Sequence, residues 1–168
     1  DIHIGKVVVN IGVGEAGDPL ERAGGLLKQI TGSSPVQTKS RTRNPTWGVR
    51  KGLPIGVKVT LRGEKAGTFL KKAFEAEGNK LSKISFDGRG NFAFGVKEYI
   101  DFPGVKYNPQ IGMLGFDVCV SLVRPGYRVS RRKIARSKVG KRHVICDEDA
   151  RLFVEKEFGV KMIGGWEE

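Results

Sequence analysis

Alternation of apolar and polar positions organises most of this chain. Over residues 6–11, Val7, Val9 and Ile11 point one way while Lys6, Val8, Asn10 and the following Gly12 point the other, which predicts a strand. The pattern is cleaner over 55–62: Ile55, Val57, Val59 and Leu61 form an apolar face, opposite Gly56, Lys58, Thr60 and Arg62. Such a strand is half buried. Two more are predicted. In one, Phe92, Phe94 and Val96 alternate with Ala93, Gly95 and Lys97; the other runs over 116–123 with Val118, Val120 and Leu122 inward. A short strand starts at Val36.

Other segments carry the helical period. Asp18 as cap and Pro19 as first helical residue open a helix to about Ile30, which contributes Leu20, Leu26, Leu27 and Ile30 before Thr31-Gly32 ends it. Over 64–77, Ala66, Phe69, Leu70, Ala73 and Phe74 recur at three and four, and Gly78 closes the helix. A last helix is capped by Asp147, has Glu148 and Asp149 in its first turn, and is expected to turn Leu152, Phe153 and Phe158 inward. Together the elements predict an α+β fold, an antiparallel sheet with helices on one face and the opposite face open. The open face carries Lys6, Asn10, Lys58, Thr60 and Arg62, a mixture of charge for phosphates and short polar groups for sugars and base edges, which suits RNA.

At 168 residues the chain is expected to form a single domain over 1–168. Two connections stand out from it. Residues 39–52, with Asn44-Pro45 in the middle and Gly48 and Gly52 behind, read as a projecting basic loop between two strands. After Arg124-Pro125-Gly126-Tyr127, residues 128–143 form a basic arm, expected to be mobile until a polyanion pins it. Asp87-Gly88-Arg89-Gly90-Asn91 is a turn.

The formal net charge is +12, and its location sharpens the picture. The loop holds Lys39, Arg41, Arg43, Arg50 and Lys51 without an acid; the arm holds Arg128, Arg131, Arg132, Lys133, Arg136, Lys138, Lys141 and Arg142, again without one. These account for 13 of 30 basic residues, which leaves 17 against 18 acids. Charge confined to two stretches marks a polyanion-binding protein rather than a generally basic surface. Trp47, among Arg43, Asn44, Pro45 and Arg50, allows two readings: stacking on a base or packing inward.

Catalytic chemistry is not evident. Gly12-Val13-Gly14-Glu15-Ala16-Gly17 matches a dinucleotide fingerprint in letters, but the helix is expected after the glycines, and no acid follows about twenty positions on. His3 and His143 lack ligand spacing, and His143, within Lys141-Arg142-His143, reads as a polar group for RNA. Glu167 and Glu168 read as a solvated tail. Cys119 and Cys146 are expected to be reduced and structural. No apolar run of about 18 residues predicts a membrane span. With no signal-peptide pattern, an intracellular protein is expected, and because the chain begins at Asp1, a few residues are expected to precede it. No enzyme activity, cofactor or metal is expected.

Several blocks in order resemble one family. "KVVVNIGVGEAG", "ITGSSPVQTKSRTR", "GLPIGVKVTLRG", "SFDGRGNFAFGVKEYIDFP" and "IGMLGFDVCVSLVRPGY" are similar to landmarks of universal ribosomal protein five, the large-subunit family that binds 5S ribosomal RNA. "RPGY" with the basic arm and "KRH" resembles its archaeal and eukaryotic branch. The resemblance implies a cytoplasmic ribosomal protein that anchors 5S RNA in the central protuberance, among neighbouring ribosomal proteins. It also implies 5S contacts at Asn10 and Thr60, and at Ser33 in place of a family glutamine, a departure with shorter reach and a hydroxyl instead of an amide. Lys6, Gly12, Lys58 and Arg62 complete that expected surface. Lys39, Arg41, Arg43, Asn44, Thr46 and Trp47 correspond to the family's loop toward the peptidyl-site transfer RNA. The arm cations with His143 are expected on other large-subunit RNA. A generic nucleic-acid-packaging protein is the alternative.

Overall fold

The computed structural model describes residues 1–164; the Glu167–Glu168 pair lies outside the described residues. In chain order the elements are β1 (His3–Gly12), α1 (Asp18–Thr31), β2 (Val36–Lys39), β3 (Pro54–Leu61), α2 (Glu64–Ala76), β4 (Lys80–Ser82), β5 (Asn91–Val96), β6 (Phe116–Val123), α3 (Arg128–Arg131), α4 (Asp147–Phe158) and β7 (Lys161–Ile163). Five strands form one sheet in the order β2-β3-β1-β6-β5, and β4 pairs with β7 in a separate parallel pair. The fold is α+β, as the alternation predicts. Among the described residues no helix is long and apolar enough to cross a membrane.

The chain groups into two compact units, one of residues 8–61 and 95–118, the other of 1–7, 62–94 and 119 onward. In the first, the inward residues are those the alternation selects: Val9, Ile11, Val57, Val59, Leu61, Phe116 and Val118 are all buried. Helix α1 covers the apolar side of β3, with Leu20, Ala23, Leu26 and Leu27 buried. Gly24 on α1 faces β3, where an added Cβ would make ordinary contacts with the Pro35 side chain at 3.7 Å and the Val57 side chain at 3.9 Å. Asp18 does not cap this helix. Gly17 takes the cap position at φ 108°, a conformation open to glycine, and its carbonyl accepts from the N–H groups of Leu20 and Glu21. Asp18 instead lies in the first turn, where its charge meets the helix dipole. Beyond β5, Tyr99 is fully buried and its hydroxyl accepts from the Asn108 N–H at 2.9 Å, tying down the loop that leads back to β6.

The second unit is held by aromatic rings. Phe74 of α2 lies 5.0 Å from Phe94 and 6.2 Å from Phe92 on β5, both nearly parallel, and 5.3 Å from Phe158 of α4. Offset pairs of this kind add to plain area burial. Helix α2 buries Ala66, Phe69, Leu70, Ala73 and Phe74, the stripe expected. Helix α4 departs from expectation twice. Its cap position is Cys146 rather than Asp147, and Leu152 is 52% exposed. The buried stripe falls instead on Ala150 and Val154, four apart, and Leu152 lies two positions from each, about 200° round the helix. Neither cysteine belongs to the core: Cys119 and Cys146 are free of disulfides and exposed.

The turn 87–91 is built on one carboxylate. Asp87 accepts from the N–H groups of Arg89 (2.8 Å) and Asn91 (3.0 Å) and from the Asn91 side-chain amide (2.6 Å). Partial burial opposes ionisation, but these donors prevail and hold the carboxyl below its ordinary 3.8. A lowered folded-state value stabilises above the unfolded pKa and ceases to do so as pH falls through the folded one. Asp87→Ala is therefore expected to lose about 1 kcal/mol at pH 7, at the modest end because the group is open to water. In thermal melts the gap to the parent protein should narrow below about pH 4.

Candidate nucleic-acid interface

Burial of one face of a strand exposes its alternate residues. On β3, Lys58 and Thr60 are exposed while Val57, Val59 and Leu61 are 2% exposed. On β1 within the same unit, Asn10 is half-buried and Gly12 exposed. Gly56 abuts β1 so closely that an added Cβ would stand 2.9 Å from the Ile11 carbonyl and 3.7 Å from the Gly12 Cα. Paired residues share a face, so the antiparallel ladder carries Lys58 alongside Asn10 and Thr60 alongside Val8. On the other flank, Val36 pairs with Lys58 and Thr38 with Gly56. The half-buried Ser33 sits in the turn between α1 and β2, its N–H within 3.4 Å of the Thr31 hydroxyl. In the second unit, Lys6 and Arg62 are exposed, Arg62 directly after β3.

The dinucleotide match fails on geometry as well as on spacing. The N–H groups of Val13 and Gly14 both donate to the Ile55 carbonyl, at 3.0 and 2.8 Å. Amides engaged in the sheet cannot cradle a pyrophosphate.

The loop 39–52 has its own internal ladder. Asn44 and Val49 exchange backbone hydrogen bonds of 2.8 and 3.0 Å, the Ser40 N–H donates to Leu53 and the Gly52 N–H to Ser40, and Val49 is buried beneath. Asn44 Oδ1 accepts from the Thr46 N–H at 3.1 Å, so this side chain shapes the tip. Lys39, Arg41, Arg43 and Thr46 are exposed, and Trp47 is 78% exposed, which settles its two readings against inward packing.

The arm carries more local structure than its composition suggests. Arg128–Arg131 form one helical turn, the Ser137 N–H donates back to the Val129 carbonyl, and Arg132 Nε donates to the Ala135 carbonyl at 2.7 Å. The organising group is Tyr127. Its hydroxyl accepts from the N–H of the fully buried Ile145 at 2.8 Å and reaches the His143 carbonyl at 3.4 Å. His143 Nε2 lies 2.8 Å from the Pro125 carbonyl, closing the base of the arm. Arg124 at the foot pairs with Asp149 at 2.7 Å, and the Cys146 thiol together with Arg124 holds the Asp149 carboxyl below its ordinary value. Arg128, Arg131, Arg132, Lys133, Arg136, Lys138, Lys141, Arg142 and His143 remain exposed.

Sequence reading missed two features. Tyr127 reads as part of a strand-ending turn, and only its position beside the arm hints at a structural role. The other is a shallow hollow of about 390 Å³ in the first unit, lined by Asn10, Gly12, Gly95, Val96, Lys97, Gly115, Phe116 and Asp117. The outward positions of β5 and β6 carried that signal.

Comparison with known proteins matches residues 1–50 to the family described as ribosomal protein L5 and residues 54–157 to the C-terminal part of the same ribosomal family. A relative from Pyrobaculum aerophilum is 52% identical over 161 residues, covering 96% of this chain and 90% of that protein. One from Nanoarchaeum equitans is 52% identical over 163 residues, covering 96% of each, and one from Methanococcus vannielii is 49% identical over 164 residues, covering 96% and 91%. Each bears the name large ribosomal subunit protein uL5.

Tyr127→Phe removes the acceptor for a buried N–H and leaves it unsatisfied, a local cost of about 1–2 kcal/mol. Amide exchange over 128–145 should accelerate on the order of tenfold, with α1 and β3 unchanged. Uniform exchange along the chain would show that Tyr127 does not hold the arm.

Proposed function

Because the chain belongs to the ribosomal protein L5 family, we propose that it binds 5S ribosomal RNA and fixes it in the large ribosomal subunit. Like its relatives it is a large-subunit protein of the ribosome, structural rather than enzymatic, and it works among ribosomal RNA and neighbouring ribosomal proteins. The observation that carries the 5S reading is the sheet face of the first unit: Lys58 and Thr60 exposed in line, Asn10 beside Lys58, and the intervening Val57, Val59 and Leu61 buried. A rigid polar surface reads a defined RNA shape because its groups are already placed before the RNA arrives. Ser33 and Gly12 extend this surface in our reading, and Lys6 and Arg62 of the second unit are further 5S contacts.

The loop and arm take the remaining partners. Trp47, at the loop tip among Arg41, Arg43 and Lys39, is suited to lie against the backbone and bases of the peptidyl-site transfer RNA. The arm cations neutralise phosphates of other large-subunit RNA.

Retention of 5S RNA against excess transfer RNA or DNA at moderate salt tests the reading. Equal displacement by all three would leave only generic polyanion binding. Thr60→Val keeps the strand but deletes the hydroxyl, and is expected to weaken 5S binding by about 1–2 kcal/mol while the melting temperature holds. Joint replacement of Arg131, Arg132 and Lys133 by alanine should lower the slope of log affinity against log salt by about 2 to 3, with selectivity for 5S RNA kept. Lost selectivity at an unchanged slope would instead make the arm a reader of bases.

A further inference from the structure

On a surface that meets a polyanion, an unpaired carboxylate repels the ligand unless something on the ligand donates to it. Asp117 is such a group. It is exposed on β6 in the hollow described above, and among the described residues no hydrogen bond or ion pair engages it. Aspartate is also disfavoured in strands, so the fold gives no account of it.

The glycines around it differ in what they need. Gly115 is imposed by packing, since a Cβ there would stand 2.6 Å from the Lys97 carbonyl. Gly95 lies under the Asp117 carboxylate, 3.4 Å from where a Cβ would be. Gly12 has no such reason: an added Cβ would meet nothing within 4 Å, and its backbone is not in the left-handed region. A side chain at Gly12 would simply occupy the hollow. Its absence, with that of Gly95 and Gly115, leaves bare peptide against which a flat ring can lie.

We propose that this hollow takes one unpaired guanine base, with Asp117 as the residue that selects it. Guanine is the nucleobase whose pairing edge carries two adjacent donors, N1–H and the N2 amine, and a carboxylate accepts both at once. Asn10 supplies an amide donor for O6 on the same edge, and Lys97 supplies a cation for the adjoining phosphate. Adenine and uracil present the wrong pattern to the carboxylate, and inosine lacks the second donor. The inference rests on this face being an RNA-binding surface and specifies which base it reads.

Short uridine-rich single strands containing one guanosine, inosine or adenosine test it at low salt without 5S RNA. The full-length protein should prefer guanosine over adenosine on the order of tenfold, with inosine between them. Asp117→Asn should erase that preference while the salt slope stays or steepens. Gly12→Val, a good strand residue that fills the hollow, should weaken the guanosine strand alone, with the melting temperature unchanged. Equal affinity for the three strands, or a preference that survives Asp117→Asn, overturns the proposal. Because this assay contains no 5S RNA, a guanosine preference found alongside failed 5S retention would sink the 5S reading and leave the hollow standing.

Discussion

One-sided burial of the sheet is the constraint on which everything else rests. Val7, Val9, Ile11, Val57, Val59, Leu61, Val118, Val120 and Leu122 are each at most 2% exposed, and every one occupies an alternate position on its strand. A slip of one residue in any of these strands would swap the two faces, burying Lys58 and exposing valines at about 1.5–3 kcal/mol apiece. The polar face is thus fixed by the apolar one. Close approach at Gly56 adds a local lock, because a Cβ there would press within 2.8 Å of Thr38 Oγ1 as well as on the backbone of β1. Register among β2, β3 and β1 is set by backbone contact and by burial together.

Order in the basic segments comes from a different source. Neither the loop nor the arm has much apolar area, and each is shaped by hydrogen bonds that its own backbone makes: the Asn44–Val49 exchange in one, the Tyr127 hydroxyl and the Val129–Ser137 bond in the other. Cations on a pre-shaped segment lose less freedom when they meet phosphate than cations on a free chain. Salt-dependent affinity can then be gained without folding the segment at the moment of binding.

The sequence revealed these two kinds of order unequally. Strands β1, β3, β5 and β6 and helix α2 were legible because periods of two and of three to four are written in apolar residues alone. Helix starts were not: Asp18 and Asp147 are good capping residues, yet Gly17 and Cys146 hold those positions, since a cap depends on the path of the chain entering the helix. Strands β4 and β7 are three residues each and carry no alternation to detect. Leu152 misled because a helix of low amphipathicity can be turned either way until its neighbours decide. In the candidate site, charge and the polar face of β3 were visible, whereas the hollow around Asp117 requires β1, β5 and β6 side by side, a juxtaposition no local pattern contains.

That juxtaposition separates affinity from selectivity. In the first unit the sheet face offers Lys58 and Lys97 against Asp117, close to neutral, while the arm gathers eight arginines and lysines with no acid. A near-neutral face gains little from counterion release and must earn its contacts through geometry, by hydroxyl, amide and carboxylate placed against sugars and base edges. The arm and loop gain mostly from charge, and charge does not discriminate sequence. A protein that put its cations on the sheet face would hold any RNA there strongly enough to mask the small differences by which one RNA shape is told from another. On the proposed reading, carrying the cations on the loop and arm instead of on that face lets those differences decide which RNA stays.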